Sequence, residues 1–159
     1  IRSGPSSPRR RASSAANGAS RPRLVRAARR ACGESIRLGV LVEAGSRPAP
    51  MQLGEVAAIA IAEGADFVGT AAPVSGPAAG TTLEEAAVLL DRVQLAGRRV
   101  GLKLSGDVAA GGDAARFLAL ARQMMGPGFL APGTLRLEAL ADADGASDTL
   151  DALQRLAAG

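Results

Sequence analysis

The chain has 159 residues, enough for one ordinary domain and short of the roughly 250 that a closed eight-stranded β/α barrel takes. Residues of the hydrophobic class make up 47% of it, so a packed core can form, but there is no His, Tyr or Trp. That absence removes Ser-His-Asp and Cys-His catalysis, His-ligated metals, tyrosine acid/base chemistry and the Trp and Tyr platforms on which bases stack. One cysteine, Cys32, excludes an internal disulfide and a thiolate zinc site, and it reads as a small buried apolar residue. No run of about 18 apolar residues occurs, so no membrane span is expected. The basic residues are 18 arginines and a single lysine, so an amine nucleophile has one side-chain candidate, Lys103.

The net charge of +4 is divided unevenly. Residues 1–37 hold ten arginines against one glutamate, and residues 38–159 hold nine basic against fourteen acidic side chains. The basic character therefore belongs to the N-terminal arm. Residues 1–23 (IRSGPSSPRRRASSAANGASRPR) are rich in Ser, Pro, Gly and Arg, lack acidic groups and show no apolar periodicity. They are expected to be disordered, having too little apolar surface to offset the entropy of ordering. Such an arm can act as a solvated tail, resemble a transit peptide, or touch nucleic acid weakly through Arg9–Arg11. The first residue is Ile1 and not methionine, which suits a fragment of a longer polypeptide.

From Leu24 onward helix and strand signals alternate. Leu24–Cys32 reads as a helix and Arg37–Glu43 as a strand; Met51–Glu63 is an Ala-rich helix closed by Gly64, followed by a short buried strand at Asp66–Ala72. Thr82-Leu-Glu-Glu85 has the pattern of a capping box, opening a helix that runs to about Leu95. Arg99–Leu104 is the next strand, Asp113 opens a helix to about Met125, and Thr134–Glu138 and Asp148–Leu156 are a last strand and helix. Gly126-Pro127-Gly128 and Gly111-Gly112 read as turns. The strand centres, near Val40, Val68, Leu102 and Leu137, are 28, 34 and 35 residues apart. Near-continuous apolar strands spaced by helices indicate consecutive βα units, an α/β fold with a parallel sheet.

The motifs Leu24–Cys32, Val40-Leu-Val-Glu43-Ala-Gly45, Ala62-Glu-Gly-Ala-Asp-Phe-Val68 and Val100-Gly-Leu-Lys103-Leu-Ser-Gly106 come in an order that resembles the second half of deoxyribose-phosphate aldolase. Asp113–Ala121 and Met125-Gly-Pro-Gly-Phe129 are similar to the longer bacterial form of that family. The resemblance spans roughly residues 24–157 and implies the C-terminal half of a TIM barrel. It also implies a cytoplasmic class I aldolase of deoxyribonucleotide catabolism, joining or splitting acetaldehyde and glyceraldehyde 3-phosphate with no metal or cofactor. In such enzymes one lysine forms a Schiff base, a second lysine nearby keeps the first partly neutral, and Gly-rich loops after the last strands bind the phosphate.

Carried onto this chain, the resemblance is incomplete. The Schiff-base lysine would follow Gly-Ala-Asp-Phe-Val and precede Thr-Ser-Thr-Gly; here Gly69 stands in its place, followed by Thr70-Ala71-Ala72-Pro73. Lys103 matches the second lysine, and Gly106-Asp107 replaces a Gly-Gly pair. Thr70, Ser105, Gly106, Gly145 and Ser147 are the candidates for holding a phosphorylated sugar, and Glu43 ends a strand at the active end. No Gly-Ser-Ser phosphate loop follows Leu137 directly; Gly145-Ala146-Ser147 supplies one only if Glu138–Asp144 is an insertion. The proton-relay aspartate belongs to the absent first half. A lyase fold without its nucleophile is therefore expected to be inactive or severely impaired. The alternative is a non-catalytic assembly piece that pairs with a separate N-terminal half-barrel or with itself, since four strands leave sheet edges and a helix-free apolar face exposed.

Overall fold

The computed structural model describes residues 14–43, 49–71, 80–106 and 113–139. In chain order these form α1 (Ser14–Cys32), β1 (Gly39–Glu43), α2 (Pro50–Ala62), β2 (Phe67–Ala71), α3 (Leu83–Gln94), β3 (Gly101–Gly106), α4 (Asp113–Met125), a 3-10 turn (Pro127–Phe129) and β4 (Leu135–Ala139). The four strands lie side by side in the order β1-β2-β3-β4, and every pair is parallel. The expected architecture of consecutive βα units holds. The expected helix over 148–156 and the Gly111-Gly112 turn lie outside the described residues.

Local chemistry accounts for the element boundaries. Gly64 closes α2 at φ +98°, a conformation that glycine reaches without a Cβ clash. Thr82 caps α3 as the sequence implies: its side chain accepts from the Glu85 N–H at 3.1 Å, and the Glu85 carboxylate accepts from the Thr82 N–H at 2.8 Å. Two orphan donors at the helix start are thereby satisfied.

The first helix corrects the reading of the arm. It begins at Ser14, so residues 14–23 are helical and the boundary expected at residue 23 falls inside an element. Alanines 15, 16 and 19 favour helix, and extending an existing helix costs far less than nucleating one. Pro22 sits within it and deletes one backbone bond without ending it. Cys32, expected to be buried, is only half-buried, because it lies on the last turn of this helix, beyond the core.

One face of the sheet carries the core. Val68, Leu102 and Leu104 pack with Leu53, Ala57, Leu89, Leu90, Phe117 and Ala121 from α2, α3 and α4, with Val40, Val42, Leu135 and Leu137 joining from the outer strands. The N-terminal ends of the strands are tied by arginines. Arg29 donates to the Gly64, Gly33 and Ile36 carbonyls and to the Asp66 carboxylate, which in turn accepts from the Leu38 N–H at 2.8 Å. Arg98 donates to the Ile61 and Ala65 carbonyls at 2.8 and 2.7 Å.

The opposite face has no described helix over it, and it departs from expectation: it is not apolar. By strand alternation it presents Gly39, Leu41, Phe67, Gly69, Gly101, Lys103, Ser105, Arg136 and Glu138. Phe67, the one large aromatic there, is buried. It lies over Gly101, where a Cβ would come within 2.2 Å of the ring, and the Arg136 guanidinium stands 4.3 Å from the ring centroid. Glycines and charged groups thus replace the apolar side chains that a bare interior would show.

Candidate active site on the open face of the sheet

In a β/α barrel the active end is where the strands finish. The chain brings Gly69, Thr70, Lys103, Ser105 and Glu138 together towards the C-terminal ends of β2, β3 and β4. Gly69 pairs in register with Lys103, and this is the last register pair between β2 and β3. The two strands approach so closely there that an ideal Cβ at Gly69 would lie 1.7 Å from the Lys103 carbonyl oxygen, 2.7 Å from its carbonyl carbon and 3.0 Å from its nitrogen. The vector along which a side chain would leave the backbone runs into the neighbouring strand.

Beyond Gly69 side chains continue what the backbone ladder stops. The Ser105 N–H donates to Thr70 Oγ1 at 3.1 Å, Thr70 and Thr81 hydroxyl oxygens are 2.5 Å apart, and Thr81 Oγ1 donates to the Ser105 carbonyl at 2.7 Å. Each hydroxyl has one proton. Since that of Thr81 goes to the Ser105 carbonyl, Thr70 is the donor between the two threonines, and the ring closes with every member satisfied. Thr70 and Ser105 are fully buried and Thr81 nearly so. Sequence reasoning singled out Thr70 as a substrate contact; the structure engages its hydroxyl internally, as the link between two strands. Thr81 was not legible as a partner because nothing local connects it to residues 11 and 24 positions away.

Lys103 lies between strands on the open face, with 28% of its side chain exposed. Its Nζ is 3.0 Å from Glu138 Oε2, and Ser105 Oγ donates to the same oxygen at 2.5 Å. The Ser105 hydroxyl, then the Lys103 ammonium, hold the Glu138 carboxyl below its ordinary value of 4.5 against the opposing effect of partial burial. Glu138 lies in β4, within the strand expected over Thr134–Glu138, opposite Ser105; it was not among the candidate site residues. The signal for it was the alternation Arg136-Leu137-Glu138, which puts both charged residues on one face.

The remaining candidates divide simply. Gly106 ends β3 and Glu43 ends β1, as expected from their strands, with the Glu43 side chain outside the described residues. Gly145, Ser147 and Asp107 lie outside the described residues altogether. Among the described residues no group of three His, Cys, Asp or Glu could hold a metal, and no helix is long and apolar enough to cross a membrane.

With this geometry in hand, comparison with known proteins is informative. A deoxyribose-phosphate aldolase of Agrobacterium fabrum is 33% identical over 136 residues, which cover 86% of this chain and 49% of that protein. Over most of its own length the chain is similar to a deoxyribose-phosphate aldolase. It spans about half the length of that curated relative. Two crystal structures of a candidate deoxyribose-phosphate aldolase of Toxoplasma gondii, one of them an apo form, superpose with TM-scores of 0.72 and 0.71 at 20% and 23% identity. Each superposition covers 89% of this chain and 55% of that protein, so the shared fold is about half of a TIM barrel. No protein-family model matches the sequence.

Two outcomes test the geometry. In most strands Gly→Ala stabilises by about 0.5–1 kcal/mol through reduced backbone freedom. At Gly69 the sign is expected to reverse, with Gly69→Ala losing about 1–3 kcal/mol as the Lys103 backbone is pushed away, measured by urea denaturation. The second concerns acid. Because the folded value of Glu138 lies below 4.5, its contribution to stability is fully present above that pH and is lost as pH falls through the folded value. Ser105→Ala is expected to flatten this acid limb, seen as a smaller drop in Tm between neutral and acidic buffer.

Proposed function

We propose that this chain is a deoxyribose-phosphate aldolase half-barrel that has lost covalent aldol chemistry. What supports the reading most directly is Gly69. It stands where the family's motif carries the imine-forming lysine, and the carbonyl of Lys103 occupies the space that any side chain there would enter. Glycine offers no amine, and a missing nucleophile abolishes a covalent route instead of slowing it. The barrier must then be met without the Schiff base, a deficit of many powers of ten in rate.

Lys103 does not replace the lost group on this reading. Its Nζ is paired with the Glu138 carboxylate at 3.0 Å and is turned to that partner. On this proposal the chain, a cytoplasmic protein by family analogy, neither cleaves nor forms 2-deoxyribose 5-phosphate. Incubation with acetaldehyde and borohydride, followed by intact mass measurement, is expected to leave Lys103 unmodified. An adduct mapping to Lys103 would overturn the reading.

A second reading has its own support. The described sheet ends at β1 on one side and β4 on the other, and the chain spans only half of its relatives, so the alternative is an assembly piece that completes a barrel with a separate N-terminal half or a second copy. Light scattering coupled to size exclusion separates the two: this reading requires a dimer or a co-purifying half-barrel, and a rigid, soluble monomer rejects it.

A further inference from the structure

We propose that α1 is a strap fastened to the βα body by two arginines, and that it comes away at raised ionic strength while the body stays folded. Among the described residues no α1 side chain belongs to the core, neither among its buried members nor among the half-buried apolar groups packed against it. By contrast α2, α3 and α4 each put several side chains there, Leu53 and Ala57, Leu89 and Leu90, Phe117 and Ala121 among them. The inward flank of α1, formed by Val25, Ala28 and Cys32 at helical spacing, is only half-buried, and Leu24 is 72% exposed. Apolar burial, the term that holds the other helices, therefore does little to hold this one.

What fastens α1 is charge. Arg26 grips Glu63, the residue just past α2, with two contacts of 2.5 Å, Nε to Oε2 and Nη2 to Oε1. Arg29 donates to the Gly64 carbonyl at 2.9 Å and to the Asp66 carboxylate. Its contacts to the Gly33 and Ile36 carbonyls stay within the segment that leads out of α1. The two fasteners are three residues apart, so both lie within one turn of the helix. The Arg26 side chain is 58% exposed and open to screening, which shortens the reach of a charge from about 10 Å at 0.1 M salt to about 3 Å at 1 M. Arg29 is better shielded, but a shielded pair gives back much of its attraction as desolvation. Salt therefore attacks what holds α1 and spares what holds the strands. A detached helix with Pro22 inside it is marginal in water, so release shows as lost amide protection.

Amide hydrogen exchange, together with alkylation of Cys32, the chain's one thiol, follows the strap and the body at once. Between about 0.05 and 1 M sodium chloride, exchange over residues 24–32 and Cys32 alkylation are expected to rise about tenfold, each referred to the urea-unfolded chain at the same salt. The amides of Val68, Leu102 and Leu104 are expected to keep their protection. Glu63→Gln with Asp66→Asn removes both charges and keeps an acceptor for the Leu38 N–H, which donates to Asp66 at 2.8 Å. This double variant is expected to show the released rates already at low salt and no further response. Arg26→Gln, which touches neither the core nor Asp66, is expected to raise the low-salt rates part of the way, and it decides the matter if the double variant does not fold. Helix α1 as protected as β2 and β3 at every salt concentration, strands and helix losing protection together, unchanged rates in Arg26→Gln, or an undiminished salt response in the double variant would each overturn the proposal.

Discussion

The close approach of β2 and β3 at Gly69 organises everything else on the open face. With no Cβ in the way, the two backbones come near enough that the Lys103 carbonyl fills the exit of any side chain at position 69. The regular register ends at that pair, and the Thr70–Thr81–Ser105 ring carries the strands onward. Ser105 is thereby fixed, and through its hydroxyl it fixes Glu138, which pairs with Lys103. A buried, fully satisfied ring of neutral hydrogen bonds thus ends in a half-exposed ion pair. The ring is the stiff part, because breaking any member strands a buried polar group at a cost of about 1–3 kcal/mol, whereas an exposed ion pair contributes about 0–1 kcal/mol.

The open face carries glycines and charged groups around a single aromatic ring. Gly39, Gly69 and Gly101 put no side chain where a filled barrel interior carries branched ones, and at Gly69 and Gly101 the Lys103 backbone and the Phe67 ring take that space. Phe67 lies flat into the space above Gly101, and Arg136 covers it. Among the described residues, cation and glycine together account for the burial of this ring. Arg136 therefore shields apolar surface with its stem and ring contact while its charge stays in solvent.

What could be read in the sequence followed from how local each signal is. The capping box needs only Thr82 and Glu85, three residues apart, and it is realised atom for atom. The four strands follow from short apolar runs, with boundaries displaced by a residue or two where the ladder begins after the turn. Half of the site was visible for the same reason: Gly69 and Lys103 stand in recognisable motifs on consecutive strands. The other half depended on register. Glu138 reaches Lys103 only because β3 and β4 align Ser105 with Glu138, across 33 residues, and nothing near either residue specifies that offset. Thr81 is invisible for a like reason, since its partners lie on two different strands. The helical turns before Leu24 were missed because composition argued against them, and propagation from an established helix overrode it.

The arginine clamps at the other end of the sheet have a consequence for substitution. Arg29 joins α1 to the loops before β1 and β2, and Arg98 closes the end of α2; both act where strands begin, far from where they finish. The scaffold's anchorage and the candidate site thus reside at opposite poles of the same strands, and a substitution at one pole leaves the hydrogen bonds of the other in place.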